Sequence, residues 1–592
     1  MTICWLWIRT KRPWIAFFVE VVVVVGKRRG LKIGNVFYRL LQPQLPPSSL
    51  QSCFRVNHFY DIFGMNKREC HEKENEDESC IFPKLHDEAV LYYSIIAQNQ
   101  VNQSNTMLAK AILIFLSLIK YTTSITPPIQ LNYIKTSATD PYFHDEHNRI
   151  RIFHGINRMH KAFPWYVNDS DIVLEDLQAI GINIVRLGWF WSGFNPSPGV
   201  FNATYLHIIQ RQVQRFADHG IHTLLDMHQD VMSSKFCLYD GVPIWVVDKS
   251  IPRHPFPWPL TGNCSSRGWM INSLSEAAAK AYQDLYDNTN GMLDDLAMFW
   301  STSASNFVNN SNVIGYEIIN EPFAGDFYQD PSILIPGIAG SKNLAKMYEK
   351  VASEIRKQDD RHIIFYEPVT WGMIFDNKII GSGFTQVPGG DSYRNRSALS
   401  FHYYCSTFVP GYDKLPKWRK DLCDSTVAPL VFSAVKKDIQ QIGGAAIMTE
   451  GLSCPNDIGG QEECHIVQSH LDQQFLSWTD YADSQNYPFA PNDALKTLWS
   501  RTYARAIAGN PRNMTFNPVT LDFEFCYVPN VSIKAPTEIF IPKTYTYRNG
   551  FEVSCDVGLI CIEKGDVLLV TVSTKQEDVK GESIKCVRVK SK

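Results

Sequence analysis

Ten side chains able to bind sugars or move protons stand at or near the ends of hydrophobic runs: Asn157, Arg186, His228, Asn320, Glu321, Glu367, His402, Tyr404, Glu450 and Trp478. Glu321 and Glu450 form the pair with the clearest chemistry. Cleavage of a glycoside with retention uses two carboxyl groups roughly 5–5.5 Å apart across the scissile bond. One is held protonated and gives its proton to the leaving oxygen, while the other stays ionised and attacks the anomeric carbon. Glu367 is a third carboxylate in a similar place and the rival to either, or a substrate-binding group. A single charged residue after a strand is usually the start of a solvated loop. Ten useful residues at corresponding ends predict a site.

The elements that must position them repeat in order. Strand-like runs at 150–157, 182–189, 222–229, 313–322, 362–368, 398–404, 445–452 and 475–481 alternate with helical patterns. The early and middle runs are continuously apolar, as parallel strands buried on both faces must be. Helical segments at 171–180, with Ser170 as N-cap, and at 205–219, closed by Gly220, lie between them. Eight such strands predict an α/β fold, a closed (β/α)₈ TIM barrel, with an open doubly wound sheet as competitor. Barrel active sites are built at the C-terminal strand ends, and strands four and seven are expected on opposite sides of the mouth.

After about residue 510 the pattern changes to short, β-branched runs at 516–527, 537–542, 551–556 and 567–573. Asn549-Gly550 reads as a hairpin turn between two of them. The expected organisation is a catalytic barrel over 127–509 and a C-terminal all-β sandwich over 510–592. Residues 107–126 read as a secretory signal: Met107 to Lys110, an apolar run 111–119, then polar residues. Residues 1–106 read as an unstructured extension or an over-extended translation start. The run 14–26 is short for a spanning helix and contains Glu20.

Composition narrows the classes. With 45% hydrophobic and 20% charged residues, the 592-residue chain can bury a large core. A formal net charge of −3 gives no basic face for nucleic acid, and none is expected as a partner. Ten of fourteen cysteines lie after residue 127 without CxxC pairs, which favours disulfides over zinc, reduced buried thiols being the alternative. Cys237/Cys264, Cys405/Cys423 and Cys454/Cys464 are near enough in sequence to pair. Seven Asn-x-Ser/Thr sequons after residue 127, at Asn168, Asn202, Asn263, Asn309, Asn395, Asn513 and Asn530, favour the same secretory route, whether secreted or lysosomal. No metal-ligand cluster stands out, and no cofactor is expected.

In these motifs the chain resembles glycoside hydrolase family 5, with its closest likeness to endoglycoceramidases. The likeness rests on Ile318-Ile319-Asn320-Glu321-Pro322, Met448-Thr449-Glu450-Gly451, Asp226-Met227-His228-Gln229-Asp230 and Phe401-His402-Tyr403-Tyr404, and runs over roughly residues 130–590. It implies Glu321 as acid/base and Glu450 as nucleophile. Arg186 would hold the nucleophile ionised, and Asn320 would bind the sugar 2-hydroxyl. It further implies His228 beside the sugar, His402 and Tyr404 at the end of strand six with the Tyr404 hydroxyl toward Glu450, and Trp478 as the floor of the sugar site. Asp230 and Lys161 would contact sugar hydroxyls next to the cleaved bond, although residues 157–164 depart from the family pattern around Lys161. The implied substrate is a glycosphingolipid, cleaved between oligosaccharide and ceramide by a monomer in transient contact with a membrane or micelle. Apolar loops at 369–375 and 408–412 are candidates for the lipid side. Cleavage of other β-glucosides, or glycan and lipid binding on a dead barrel, are the competing readings.

Overall fold

The computed structural model describes residues 128–267, 269–369, 381–405, 416–452, 462–481, 491–573 and 583–592, together with short strands elsewhere. The chain divides into units Met1–Phe115 and Leu116–Lys592. In the first, strand Ala16–Glu20 pairs with Phe37–Leu41 and Val23–Val24 with Lys32–Ile33. The rest of 1–127, including the expected extension and signal, lies outside the described residues, as do the loops at 370–373 and 408–412.

In the second unit eight parallel strands close into a barrel. They are β1 (His154–Arg158), β2 (Ile184–Gly188), β3 (His222–Asp226), β4 (Val313–Glu317), β5 (Ile363–Tyr366), β6 (Ser397–Tyr403), β7 (Ala445–Gly451) and β8 (Ser477–Asp480). All are buried from end to end. Side chains fill the interior and helices cover the outside, which is why the sequence shows unbroken apolar runs. The covering helices include α1 (Asp171–Ala179), whose Ser170 accepts from the Val173 N–H, and α2 (Ala203–Asp218), capped by Asn202 and followed by Gly220 at φ 74°. Strands β4 and β7 are three steps apart round the ring, not diametrically opposite. Among the described residues no helix is long and apolar enough to cross a membrane.

The C-terminal strands form two antiparallel sheets, one of seven strands and one of four. The seven-stranded sheet recruits Lys135–Thr136, Phe143–His144 and Ile150–Arg151 from before the barrel, and Tyr503–Ile507 from before the expected boundary at 510. The first strand-like run is therefore two strands. Ile150 and Ile152 pack with Tyr503 and Ile507 in the sandwich core, and the barrel strand starts only at His154. Run 516–527 is also two strands, Gly509–Phe516 and Phe523–Pro529, joined by a turn in which Asn517 accepts from the Val519 and Thr520 amides. Gly550 has φ 95°, but the strands on either side, Thr537–Phe540 and Phe551–Cys555, lie in different sheets, so Asn549-Gly550 is a turn in a crossover and no hairpin.

Cys237 is bonded to Cys264 as its spacing suggests, and the sandwich carries Cys526–Cys586 and Cys555–Cys561. Cys405 and Cys464 are disulfide-bonded as well. The side chains of Cys423 and Cys454 lie outside the described residues.

Barrel and sandwich meet at Tyr503, whose ring stacks on His154 and whose hydroxyl donates to the Gly181 carbonyl at 2.7 Å. Gly181 follows α1 at φ 90°, and a Cβ there would stand 2.4 Å from the Phe540 ring. Left-handed backbone costs a residue with a Cβ roughly 1–2 kcal/mol before any clash is counted. Gly181→Ala is therefore expected to lower the thermal unfolding midpoint by several degrees while leaving kcat at low temperature unchanged. An unaltered melting curve would show that the seam tolerates the methyl group.

Candidate active site

The site is organised around Arg186, which stands in β2 with its side chain fully buried. A guanidinium in that position must have its donors matched by acceptors, and preferably by charges. Its Nε donates to Glu317 Oε2 at 2.5 Å, Nη1 to Asn157 Oδ1 at 3.0 Å and to Glu450 Oε1 at 2.7 Å, and Nη2 to Asn320 Oδ1 at 2.7 Å. Asp226 Oδ1 lies 3.0 Å from Nη2. One side chain thus ties together strands β1, β3, β4 and β7. Burial pushes the Asp226 carboxyl up, but Arg186 and His228 outweigh it and leave Asp226 below the usual carboxylate range.

Glu450, near the end of β7, takes a second hydrogen bond at Oε2 from the Tyr404 hydroxyl at 3.1 Å. Glu321 sits beyond the end of β4 in a left-handed backbone, φ 41°. Its N–H donates to Glu367 Oε2 at 2.8 Å and its Oε1 lies 2.9 Å from His402 Nδ1. Burial, then the charge of Asp230, push its carboxyl up to about 7. His402 is driven down to about 4 by burial, so its ring is neutral at pH 7. With Nδ1 as acceptor it takes a hydrogen bond from protonated Glu321. Carboxylate oxygens of Glu321 and Glu450 and a ring nitrogen of His402 lie within 4.8 Å of one another. Oxygens that near suit the roughly 5–5.5 Å between the carboxyl groups of a retaining pair.

To one side, His228 Nδ1 hydrogen-bonds Asp226 at 2.7 Å and its Nε2 lies 3.5 Å from Asp230 Oδ1. Lys161 Nζ donates to Asp230 Oδ2 at 2.8 Å and lies 5.6 and 5.3 Å from the ring centroids of Tyr239 and Tyr481. Asp230 is held well below the usual range, with Lys161 and His228 outweighing its burial. Nine of the ten proposed site residues are thereby brought together. Trp478 is not among them. It is fully buried, with its ring stacked 4.6 Å from His154 on the side of the barrel wall that meets the sandwich. Its neighbour Thr479 faces inward instead, donating to the Thr449 carbonyl and accepting from Asn157.

The family model described as cellulase (glycosyl hydrolase family 5) matches residues 148–487, and that of the glycoside hydrolase family 5 C-terminal domain matches 501–587. The chain belongs to glycoside hydrolase family 5. It is 34% identical over 448 residues to an endoglycoceramidase of Cyanea nozakii, covering 69% of this chain and 84% of that protein. It is also 34% identical over 438 residues to an endoglycoceramidase of Hydra vulgaris, covering 69% and 80%. Endo-glycoceramidase II from Rhodococcus sp., solved as a ganglioside GM3 complex, shares the fold with a TM-score of 0.61 at 21% identity, over 76% of this chain and 99% of that one. The same protein solved as a lactosyl-enzyme intermediate gives 0.61 at 21%, over 76% and 100%.

The family 5 site also holds residues that sequence reading passed over. Glu317 lies under Arg186 and accepts from the Thr449 hydroxyl at 2.8 Å. A carboxylate inside an apolar strand was the available signal, since it must be paired. Tyr481, just past β8, and Tyr239, after β3, are the aromatic rings that stand beside Lys161, where Trp478 does not reach. Glu367 is fully buried and hydrogen-bonded to the Glu321 backbone, so it is neither rival to the pair nor a substrate contact. Two triplets, Glu317/Glu367/His402 and Glu321/His402/Glu450, have spacing that could hold a cation. In each, a carboxylate already accepts from Arg186.

Replacing Arg186 with Met would leave Asp226, Glu317 and Glu450 facing one another. Removing one partner of a buried pair costs about 3–5 kcal/mol. The loss should grow with pH, because the stranded carboxylates take up protons in acid and repel when ionised. The thermal midpoint of Arg186→Met is expected to fall further below wild type at pH 8 than at pH 5. An equal fall at both would mean that Arg186 contributes packing alone.

Proposed function

We propose that this family 5 hydrolase is an endo-acting retaining glycosidase. It cleaves the β-bond between oligosaccharide and ceramide in glycosphingolipids through a covalent glycosyl-enzyme intermediate. The 4.8 Å grouping of Glu321 and Glu450, in unlike surroundings, carries the mechanism. Glu321, its carboxyl pushed up to about 7, protonates the oxygen leaving with ceramide. Glu450, fixed by Arg186 and Tyr404, attacks the anomeric carbon from the opposite face. Glu321 then takes a proton from the water that releases the sugar. Asn320, oriented by Arg186 and by its Nδ2 bond to the Gln229 carbonyl, meets the 2-hydroxyl. Lys161 and Asp230, with Tyr239 and Tyr481, receive the sugar next to the cleaved bond.

The names of the Cyanea and Hydra relatives support the substrate. So does an apolar surface on the loops after β3 and β4, the face that bears Glu321. There Trp258, Met270, Ile271 and Leu274 are exposed, and Tyr328 packs its ring at a tilt against Trp258 and donates to the Leu274 carbonyl. Such a patch suits contact with a micelle or membrane. Passage through the secretory pathway is supported by the disulfides and by exposed sequon asparagines such as Asn202, Asn263 and Asn530.

Incubation with a ganglioside is expected to release intact oligosaccharide and free ceramide, with the β-anomer formed first by NMR. Polysaccharide or simple β-glucoside cleavage without glycolipid cleavage would overturn the substrate, and a first-formed α-anomer would overturn retention. Because the acid must be protonated, kcat/KM should fall as pH rises through about 7. Glu450→Gln should fold normally and lose at least about a thousandfold in kcat; substantial residual turnover would exclude it as nucleophile.

A further inference from the structure

The carboxyl of Glu367 touches no open space, yet it meets the acid/base directly. Oε2 accepts the Glu321 N–H at 2.8 Å, and Oε1 lies 3.4 Å from the same His402 Nδ1 that faces the Glu321 side chain at 2.9 Å. Glu367 is itself clamped. The Tyr348 hydroxyl donates to its carbonyl at 2.8 Å and accepts its N–H at 3.0 Å.

Glu321 needs such support. A residue with a Cβ at φ 41° is strained, and the strain persists only where surrounding contacts over-determine it. Pro322 removes the right-handed helical alternative. Gln229 Nε2 donates to the carbonyls of Asn320 and Glu321, at 2.5 and 3.3 Å. The remaining backbone group, the Glu321 N–H, is held among the described residues by Glu367 alone. Any turn of this peptide would swing the Glu321 carboxyl away from His402 and from the leaving oxygen. Glu450 is hydrogen-bonded by Arg186 and Tyr404, and His402 Nδ1 stands 3.7 Å from its Oε2; among the described residues neither Arg186 nor Tyr404 hydrogen-bonds Glu367.

We propose that Glu367 is a positioning residue dedicated to the acid/base: it fixes the left-handed peptide of Glu321, and with it the aim of the Glu321 carboxyl. The proposal rests on the acid/base role given to Glu321 above, and it makes a claim that a general structural role does not. Loss of Glu367 should hurt only bonds whose leaving group needs a proton.

The experiment compares kcat/KM, which reports formation of the glycosyl-enzyme, on aryl β-lactosides with leaving groups from phenol to 2,4-dinitrophenol. Glu367→Met keeps the volume and removes both oxygens; Glu367→Gln keeps an acceptor for the Glu321 N–H. General acid catalysis is worth about 10²–10⁴-fold, and partial misplacement forfeits part of it. Glu367→Met is expected to lose roughly 30- to 100-fold with phenol and less than about threefold with dinitrophenol, while Glu367→Gln stays within about fivefold of wild type throughout. Should Glu367→Met not fold, Tyr348→Phe, which frees the clamp on Glu367, replaces it with the same steepening expected. An equal loss across all leaving groups, or no loss with phenol, overturns the proposal. Aryl lactosides keep the test apart from the substrate reading: wild type cleaving them but no ganglioside would sink that reading and leave this comparison intact.

Discussion

A guanidinium with no access to water dominates the energetics of this barrel. Arg186 can be buried only because Glu317, Asp226 and Glu450 surround it, and those carboxylates can be buried only because of Arg186. Such an arrangement is a poor way to gain stability, since desolvation offsets most of the attraction. What it secures is geometry. Five hydrogen-bonding directions of one planar group fix side chains from four other strands, and the nucleophile is one of them.

From that centre the site divides into two electrostatic halves. On the Glu450 side a permanent cation and a phenolic hydroxyl meet a carboxylate. On the Glu321 side no Lys or Arg among the described residues pairs with the carboxyl. The near neighbours are a neutral histidine and a second buried carboxyl, and Asp230 adds negative charge. Two chemically identical groups within 4.8 Å are thereby given different work. The barrel makes this possible because the two halves draw on different strand ends, β4 with β5 on one side and β7 with β2 on the other, while the end of β6 sends His402 to the first and Tyr404 to the second.

Much of this was legible in the chain. Parallel strands buried on both faces write themselves as apolar runs, so all eight barrel strands and both carboxylates could be located. Facing was harder. Successive residues in a strand point to opposite sides, so an error of one position reverses the reading. Trp478 and Thr479 show this: the polar neighbour faces the interior and the tryptophan packs outside. Depth was also hidden, since Glu367 looks like any other residue after a strand until its neighbours are seen. The sandwich boundary was misplaced for a related reason. Ile150–Arg151 and Tyr503–Ile507 are recognisable as strands, but local sequence does not say with which sheet they pair.

The same division of charge couples the fold to protons. Asp226 and Asp230 titrate below the ordinary value in the folded chain, so the stability they contribute is present above about 3.8 and is lost as pH falls through their lowered values. Glu321 runs the other way. Its folded value near 7 lies above the usual 4.5, so its contribution is complete below 4.5 and disappears as pH rises through about 7. Glu367, raised by burial and by Glu321 and Glu317, adds in the same direction. The cluster therefore favours the folded state most between these limits, in mild acid. There the acid/base also carries the proton its chemistry requires.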